Sequence, residues 1–424
     1  MDAPKTTTIK VLGLGGGGSN AVDRMIELGL EGVEFIAANT DAQALRKSQA
    51  PTKIQLGPNS TRGLGAGAKP EVGEMAAEES RKELAEALKG ADMVFLTAGM
   101  GGGTGSGAIS VAAEVARSLG ALTVAIVTLP FTFEASRRQQ NAQASLAKLR
   151  AACDTLVTVP NDKLLGILPK STTFELALRV ADEVLHQGVQ GITELITKAG
   201  LINMDFANVR ALLEVAGPSM MAIGQGTGEN KAQRAVRQAL AMPLLDLKST
   251  ANATGVLVHF TGGDDLSLYE VSQAASEITS AAPNAEVLFG ATVDPVYTGR
   301  TQVILVVTGI ETGSVEVLKP EVSFRRPVTP VRAPEPVAVE VPAAAAHAKA
   351  HMAEALFTQA VAEQSWVVAE APAPAVVAAV AASALPPAPE PRNPAPAPVR
   401  DANSLDMPAF LRRRRSLSDI EGDR

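Results

Sequence analysis

The sequence predicts an α/β protein: a parallel sheet covered by helices on both faces, joined by a long helix to a smaller α+β domain, then a disordered tail. Three observations carry this. Short, wholly apolar runs alternate with helical patterns ahead of Pro169, an unbroken helical pattern runs from Phe174 to Lys198, and the composition changes near residue 319.

The apolar runs Ile9 to Leu14, Val33 to Ala38, Met93 to Ala98, Leu122 to Val127 and Leu156 to Val159 are too short for helices and lack polar alternation. They read as strands buried on both faces. Helical patterns at Asn20 to Leu28, Glu71 to Leu88, Ser106 to Leu119 and Arg138 to Leu149 separate them and supply the covering layers. The long pattern has Phe174, Leu178, Ala181, Leu185, Ile192, Leu195 and Ile196 among its apolar positions. It would span about 37 Å at ~1.5 Å per residue. Beyond it, helices near Val209 to Val215, Lys231 to Leu240 and Leu266 to Ala281 accompany strands Gly255 to Phe260, Ala285 to Phe289 and Gln302 to Thr308.

Of the 36 glycines 35 precede residue 319, whereas 16 of the 27 prolines follow it, which marks a boundary there. From Pro320 to about Arg400 the chain is mostly Ala, Pro, Val and Glu, too poor in large apolar residues to offset its ordering entropy, and reads as a disordered linker. Its Ala-rich stretch His347 to Gln364 is expected to be transiently helical. The last segment carries an apolar cluster, Leu405 to Leu411, followed by Arg412 to Arg415. A short sticky tip on a long tether reads as a docking peptide. The expected divisions are therefore 1–173, 174–200, 201–318, 319–403 and 404–424.

Composition excludes several classes. Aromatics make up 3% of the chain and Trp occurs once, which argues against a site built on many stacked rings. Cys153 is the only cysteine, so there is no internal disulfide and no CxxC site, and it reads as a small buried hydrophobe in a reducing compartment. A net charge of −7 disfavours nucleic acid as a partner. No stretch resembles a membrane span, and Met1 to Lys10 is unlike a signal peptide, so a cytoplasmic protein is expected.

Two glycine-rich runs each follow a strand and precede a helix: Gly13 to Asn20 and Gly99 to Gly107. Backbone N–H groups at such turns converge on an anion where the helix dipole also favours negative charge. Gly16, Gly17, Gly18, Ser19 and Asn20, with Gly102, Gly103, Thr104, Gly105, Ser106 and Gly107, are thus candidates for holding phosphates. The plain alternative for either run, a tight turn without ligand, weakens when two occur on neighbouring strand ends. Gly13, Gly15 and Gly18 also fit the dinucleotide fingerprint, with Asp41 as a ribose acid, so an NAD(P)-dependent oxidoreductase is a rival. Its weakness is the lack of an obvious catalytic constellation: of the four histidines, His347 and His351 lie in the linker, and His186 and His259 read as structural. A Gly-x4-Gly-Lys-Ser/Thr loop is absent, which removes the P-loop enzymes.

Gly102-Gly103-Thr104-Gly105-Ser106-Gly107 resembles the glycine signature of the tubulin superfamily, and the chain is similar nearly end to end to its FtsZ family of bacterial division GTPases. Other matching stretches are Asn39 to Leu45, Gly63 to Ala68, Pro70 to Gly73, Pro160 to Leu165 and Gly200 to Phe206, and Asp406 to Arg412 resembles that family's C-terminal peptide. The resemblance implies a Rossmann-like GTPase domain that binds GTP or GDP, with Mg²⁺ bound mainly through the nucleotide and no protein metal site. It also implies phosphates at the glycine loops, Glu134 and Arg138 beside the ribose and phosphates, and Asn161 and Asp182 at the guanine. An Asp fits that role chemically, because it accepts from both the guanine N1–H and the exocyclic amine, which adenine cannot match. Without the resemblance, Asp182 would read as a solvated carboxylate, and Glu134 with Arg138 as a surface i,i+4 pair.

By the same resemblance, Asn203, Asp205 and Asn208 in the loop 200–208 act on the nucleotide of the next subunit in a head-to-tail filament. The long helix agrees, since it separates this loop from its own nucleotide, and a head-to-tail contact that does not close makes filaments. Helix capping by Asn203 and Asp205, or by Asn208, is the plain alternative. Implied partners are further copies of the chain, and membrane-anchoring and regulatory division proteins reached through residues 405–415, at the midcell division site. Two departures stand out: Asn208 replaces a usual Asp, which bears on turnover, and Leu178 stands where many members place a Phe against the base. A paralogue that polymerises with GTP but hydrolyses it poorly is therefore the alternative.

Overall fold

Strands that are apolar without interruption need cover on both faces, and alternate residues of the central strands supply two cores. In the computed structural model, Val11, Phe95 and Val124 belong to one core with Val22, Val184 and Ile304, while Leu12, Leu96 and Ala125 belong to the other with Leu84, Ile109 and Leu149. The structure describes residues 7–310 except 167, 170, 199, 203, 215–216 and 243–252. The linker and docking-peptide expectations lie outside the described residues.

The parallel strands are β1 (Ile9–Leu14), β2 (Glu34–Asn39), β3 (Thr52–Gln55), β4 (Met93–Gly99), β5 (Leu122–Leu129) and β6 (Thr155–Pro160), in the doubly wound order 3-2-1-4-5-6. Between them run α1 (Gly15–Glu27), α2 (Ala42–Lys47), α3 (Pro70–Glu79), α4 (Arg81–Leu88), α5 (Thr104–Ser118) and α6 (Ser136–Ala152). The pattern from Glu71 to Leu88 is broken at Ser80, whose buried hydroxyl accepts from the Gly57 N–H at 3.0 Å instead of continuing one helix.

After α7 (Asn161–Leu165), the long helix α8 (Phe174–Thr197) starts from Thr173, whose hydroxyl accepts from the Leu176 N–H at 3.3 Å. Then follow α9 (Phe206–Glu214), β7 (Gly217–Thr227), α10 (Lys231–Leu240), β8 (Gly255–Gly262), α11 (Leu268–Ala281), β9 (Glu286–Val293) and β10 (Arg300–Thr308). β7 pairs parallel with β6 through Thr155–Gly217, Leu156–Pro218 and Val157–Ser219, so both halves share one ten-stranded sheet, continuing β7-β10-β8-β9. β7 escapes the sequence patterns because of its glycines. A Cβ on Gly224 would meet the Ala235 carbonyl oxygen at 2.0 Å and one on Gly226 that of Lys231 at 1.9 Å, so α10 lies directly on the strand backbone.

α8 carries Glu183, which is 1% exposed and pairs with Arg24 of α1, 3% exposed, at 3.1 Å; Gln187 also donates to Glu183 at 3.0 Å. Truncating Glu183 takes from Arg24 its charged hydrogen-bond partner inside the core and from Gln187 its acceptor. Glu183→Ala is expected to destabilise the protein by about 3–5 kcal/mol, read as a lowered denaturation midpoint in urea; a midpoint shift worth less than about 1 kcal/mol, the scale of an exposed pair, would contradict this.

Candidate functional site

The strand order reverses between β1 and β4, and in open parallel sheets ligands sit in the crevice at the strand C-terminal ends beside such a reversal. Both glycine runs are there. A cavity of about 400 Å³ opens at this place. It is lined by Gly16, Gly17 and Asn20 of α1, by Gly99 and Met100, by Thr128, Leu129 and Pro130, by Glu134, Arg138 and Asn161, and by Phe174, Leu178, Ala181 and Asp182 of α8. Eight residues singled out from the sequence are thus gathered on one cavity: Gly16, Gly17, Asn20, Glu134, Arg138, Asn161, Leu178 and Asp182.

The first turns of α1 and α5 carry no capping side chain and no acidic residue, an arrangement that suits an anion at a helix N-terminus. A Cβ on Gly16 or Gly102 would enter open space, whereas one on Gly18 would meet the Thr97 carbonyl oxygen at 2.3 Å; Gly18 thus seats α1 against β4. Ser19 is buried behind the first loop. The run Gly102, Gly103, Thr104, Gly105, Ser106 and Gly107 is not among the cavity-lining residues. Ser106 Oγ accepts from the Gly101 N–H at 2.8 Å, the Thr104 and Thr40 hydroxyls share a 2.5 Å hydrogen bond, and Gly107 packs on the Pro70 carbonyl. These residues fix the shape of the loop that ends at the cavity.

On the polar wall, Glu134 accepts from the Phe131 N–H at 3.1 Å and pairs with Arg138 at 2.5 Å. Ala135 between them has φ +84°, a conformation non-glycine residues rarely adopt, so the turn into α6 is strained. Asn161 is buried, and its Oδ1 has no hydrogen-bond partner among the described residues, which leaves an acceptor for a ligand N–H. Burial pushes the Asp182 carboxyl up to about 7, against the downward pull of Arg24 and Arg179 and with a small upward push from Glu183. Burial likewise pushes the Cys153 thiol up to about 12, so it is no nucleophile. Among the described residues no group of three His, Cys, Asp or Glu side chains could hold a metal ion.

The structure does not bring Asp205 or Asn208 to this cavity. Asp205 is exposed ahead of α9, and Asn208 donates its N–H to the Asp205 carbonyl at 3.0 Å; Asn203 lies outside the described residues. Because α9 already starts at Phe206, Asn208 sits within the first turn and is not the residue ahead of the helix. The loop is pinned to β9 by the Ile202–Ala291 bridge. From the cavity end of α8 to this loop the helix runs 24 residues, about 36 Å at ~1.5 Å each. Sequence reasoning missed Met100, Phe174 and Thr128 to Pro130 as lining residues; the available signal was that parallel strand ends share one edge.

Residues 8–169 match the family model described as Tubulin/FtsZ family, GTPase domain, and residues 217–311 that described as FtsZ family, C-terminal domain. The structure is similar to that of an FtsZ from M. jannaschii solved as an empty dimer, with 46% identity and a TM-score of 0.70, over 72% of this chain and 89% of that one. It also shares its fold with CetZ2 from Haloferax volcanii, solved as a GTPγS-bound protofilament, at 20% identity and a TM-score of 0.63, over 73% and 95% of the two chains. No described helix is long and apolar enough to cross a membrane.

A carboxyl whose folded value lies above its unfolded one favours folding while protonated, and that contribution is lost as pH rises from the unfolded value through about 7. The ligand-free protein is therefore expected to lose stability between about pH 4 and pH 7, and Asp182→Asn to remove that part of the slope. Urea denaturation across this range decides it, and identical slopes for the two proteins would show that the carboxyl ionises without penalty.

Proposed function

The chain belongs to the tubulin/FtsZ family of GTPases, and on that premise we propose that it binds GTP in this cavity and assembles head to tail into filaments. GTP is hydrolysed where the loop 200–208 of one subunit meets the cavity of the next. The observation that carries the reading is that α8 holds Asp182 at the cavity and presents Asp205 beyond its far end. One chain cannot join the two, and two chains stacked end to end can.

In this reading residues 1–173 carry the nucleotide, 174–200 form the spine and 201–318 carry the catalytic loop. The α1 and α5 N-termini hold the phosphates, Gly16 and Gly102 leaving room for them, while Gly18 and residues 103–107 hold the loops in place. Mg²⁺ comes with the phosphates. Arg138, oriented by Glu134, faces the ribose and phosphates. The ionised Asp182 accepts from the guanine N1–H and amine, and Asn161 Oδ1 takes a further N–H. Hydrolysis adds water to the γ-phosphorus and breaks its bond to the bridging oxygen, giving GDP and phosphate. Positioning and electrostatics dominate such a transfer, so Asp205 acts by orienting and polarising that water. Asn203 and Asn208 would hydrogen-bond it without taking a proton. The cellular role is filament formation at the bacterial division site in the cytoplasm, with residues 405–415 docking anchoring and regulatory division proteins. The slow-hydrolysing scaffold is the second reading, favoured by the amide at Asn208.

Turnover per subunit is expected to fall away below a threshold protein concentration, because each site needs two chains. Asp205→Ala should nearly eliminate turnover while GTP binding persists, and Asn208→Asp should raise turnover per polymerised subunit by up to about 10²-fold, the low end for a restored base. These are read as phosphate release normalised to pelleted polymer, and an unchanged rate in Asn208→Asp would leave that residue a purely helical role. For the tail, Phe410→Ala is expected to abolish partner binding with assembly intact; undiminished affinity for the anchor protein would rule out the docking role.

A further inference from the structure

Aromatic residues are scarce in this chain, yet three meet at the mouth of the cavity. The Phe131 and Phe133 rings stack with centroids 5.0 Å apart, and Phe174 meets Phe133 edge-on at 6.0 Å. Phe131 is buried, but Phe133 is 61% and Phe174 58% exposed. The outer two rings are therefore placed by one another and by the buried ring, with one side left to solvent. Rings in that state form a pre-organised apolar wall, since a ligand that lies against them spends little on ordering them. Phe174 lines the cavity, and its spacing to Leu178, Ala181 and Asp182 puts all four on one face of α8. Along that face the acidic group is deepest, the aliphatic Leu178 follows and the aromatic ring is outermost.

We propose that Phe174, braced by Phe133, is the aromatic wall of the base subsite, supplying from one helical turn upstream the stacking surface that Leu178 lacks. The proposal rests on the guanine-nucleotide reading of the cavity and adds a division of labour to it. A ring face attracts any purine, so Phe174 sets affinity, while Asp182 discriminates guanine from adenine.

The test is GDP binding to the full chain below its assembly threshold. Phe174→Ala is expected to weaken GDP and IDP alike by about threefold to tenfold, and Phe174→Tyr to keep the wild-type affinity. In a Trp366→Phe background, which removes the chain's single indole, Phe174→Trp should be quenched on adding GDP and not on adding inorganic phosphate. Wild-type GDP affinity in Phe174→Ala, including the case where only assembly suffers, would assign the ring to subunit contact and overturn the proposal. The two readings fail separately. If the wild type binds GDP and Asp182→Asn loses its preference for guanine while Phe174→Ala changes nothing, the aromatic wall alone is wrong. If the wild-type chain does not bind GDP, the nucleotide reading falls and the proposal with it.

Discussion

The geometry of the cavity hangs on an ion pair that never touches it. α1 brings the first glycine loop and α8 brings Leu178 and Asp182, and Arg24 and Glu183 join these helices inside the core at 3.1 Å. A pair so deeply buried is a weak source of net stability but a strong constraint on register, because sliding either helix would break a contact between two charges held away from water. The distance between the first glycine loop and the α8 wall of the cavity is thus constrained by electrostatics, with apolar packing around it. Arg24 acts a second time, since its charge restrains the rise that burial imposes on the neighbouring Asp182 carboxyl.

α8 extends that constraint to the far end of the molecule. Gly188 and Gly191 let it lie close against Met221, Ile126 and Ile304, side chains drawn from both halves of the sheet. Its last turn is held by Lys198 on Glu194 at 2.7 Å, with the loop beyond it bridged to β9. Helix and continuous sheet together connect the cavity to the loop through one packed unit.

Much of this was legible in the sequence because the relevant signals are local. Uninterrupted apolar runs gave five of the six parallel strands and missed the short, mostly exposed β3, the long periodic pattern gave α8 with its start at Phe174, and glycine runs at strand ends marked the cavity. What stayed hidden depends on partners distant along the chain. β7 looks like a poor strand until α10 is seen lying on Gly224 and Gly226, and the break at Ser80 depends on the backbone of Gly57. Arg24 and Glu183 are 159 positions apart, and nothing in either neighbourhood announces the pair. Phe174 reads in the sequence only as one of the apolar positions of its helix, whereas the structure leaves it exposed at the cavity mouth, where periodicity carries no information.

Under the proposed recognition, the Asp182 carboxyl would make the cavity a proton store as well. Burial pushes it up to about 7, so in the empty protein at neutral pH it carries a proton part of the time. Under the proposed recognition only its anion accepts from both guanine donors, so each loading event expels a fraction of a proton into solution, and each departure of the base takes it back. Binding of a nucleotide to the empty site then carries a heat that depends on the buffer's own ionisation enthalpy, and the occupancy of the site responds to the acidity of its surroundings with no histidine involved.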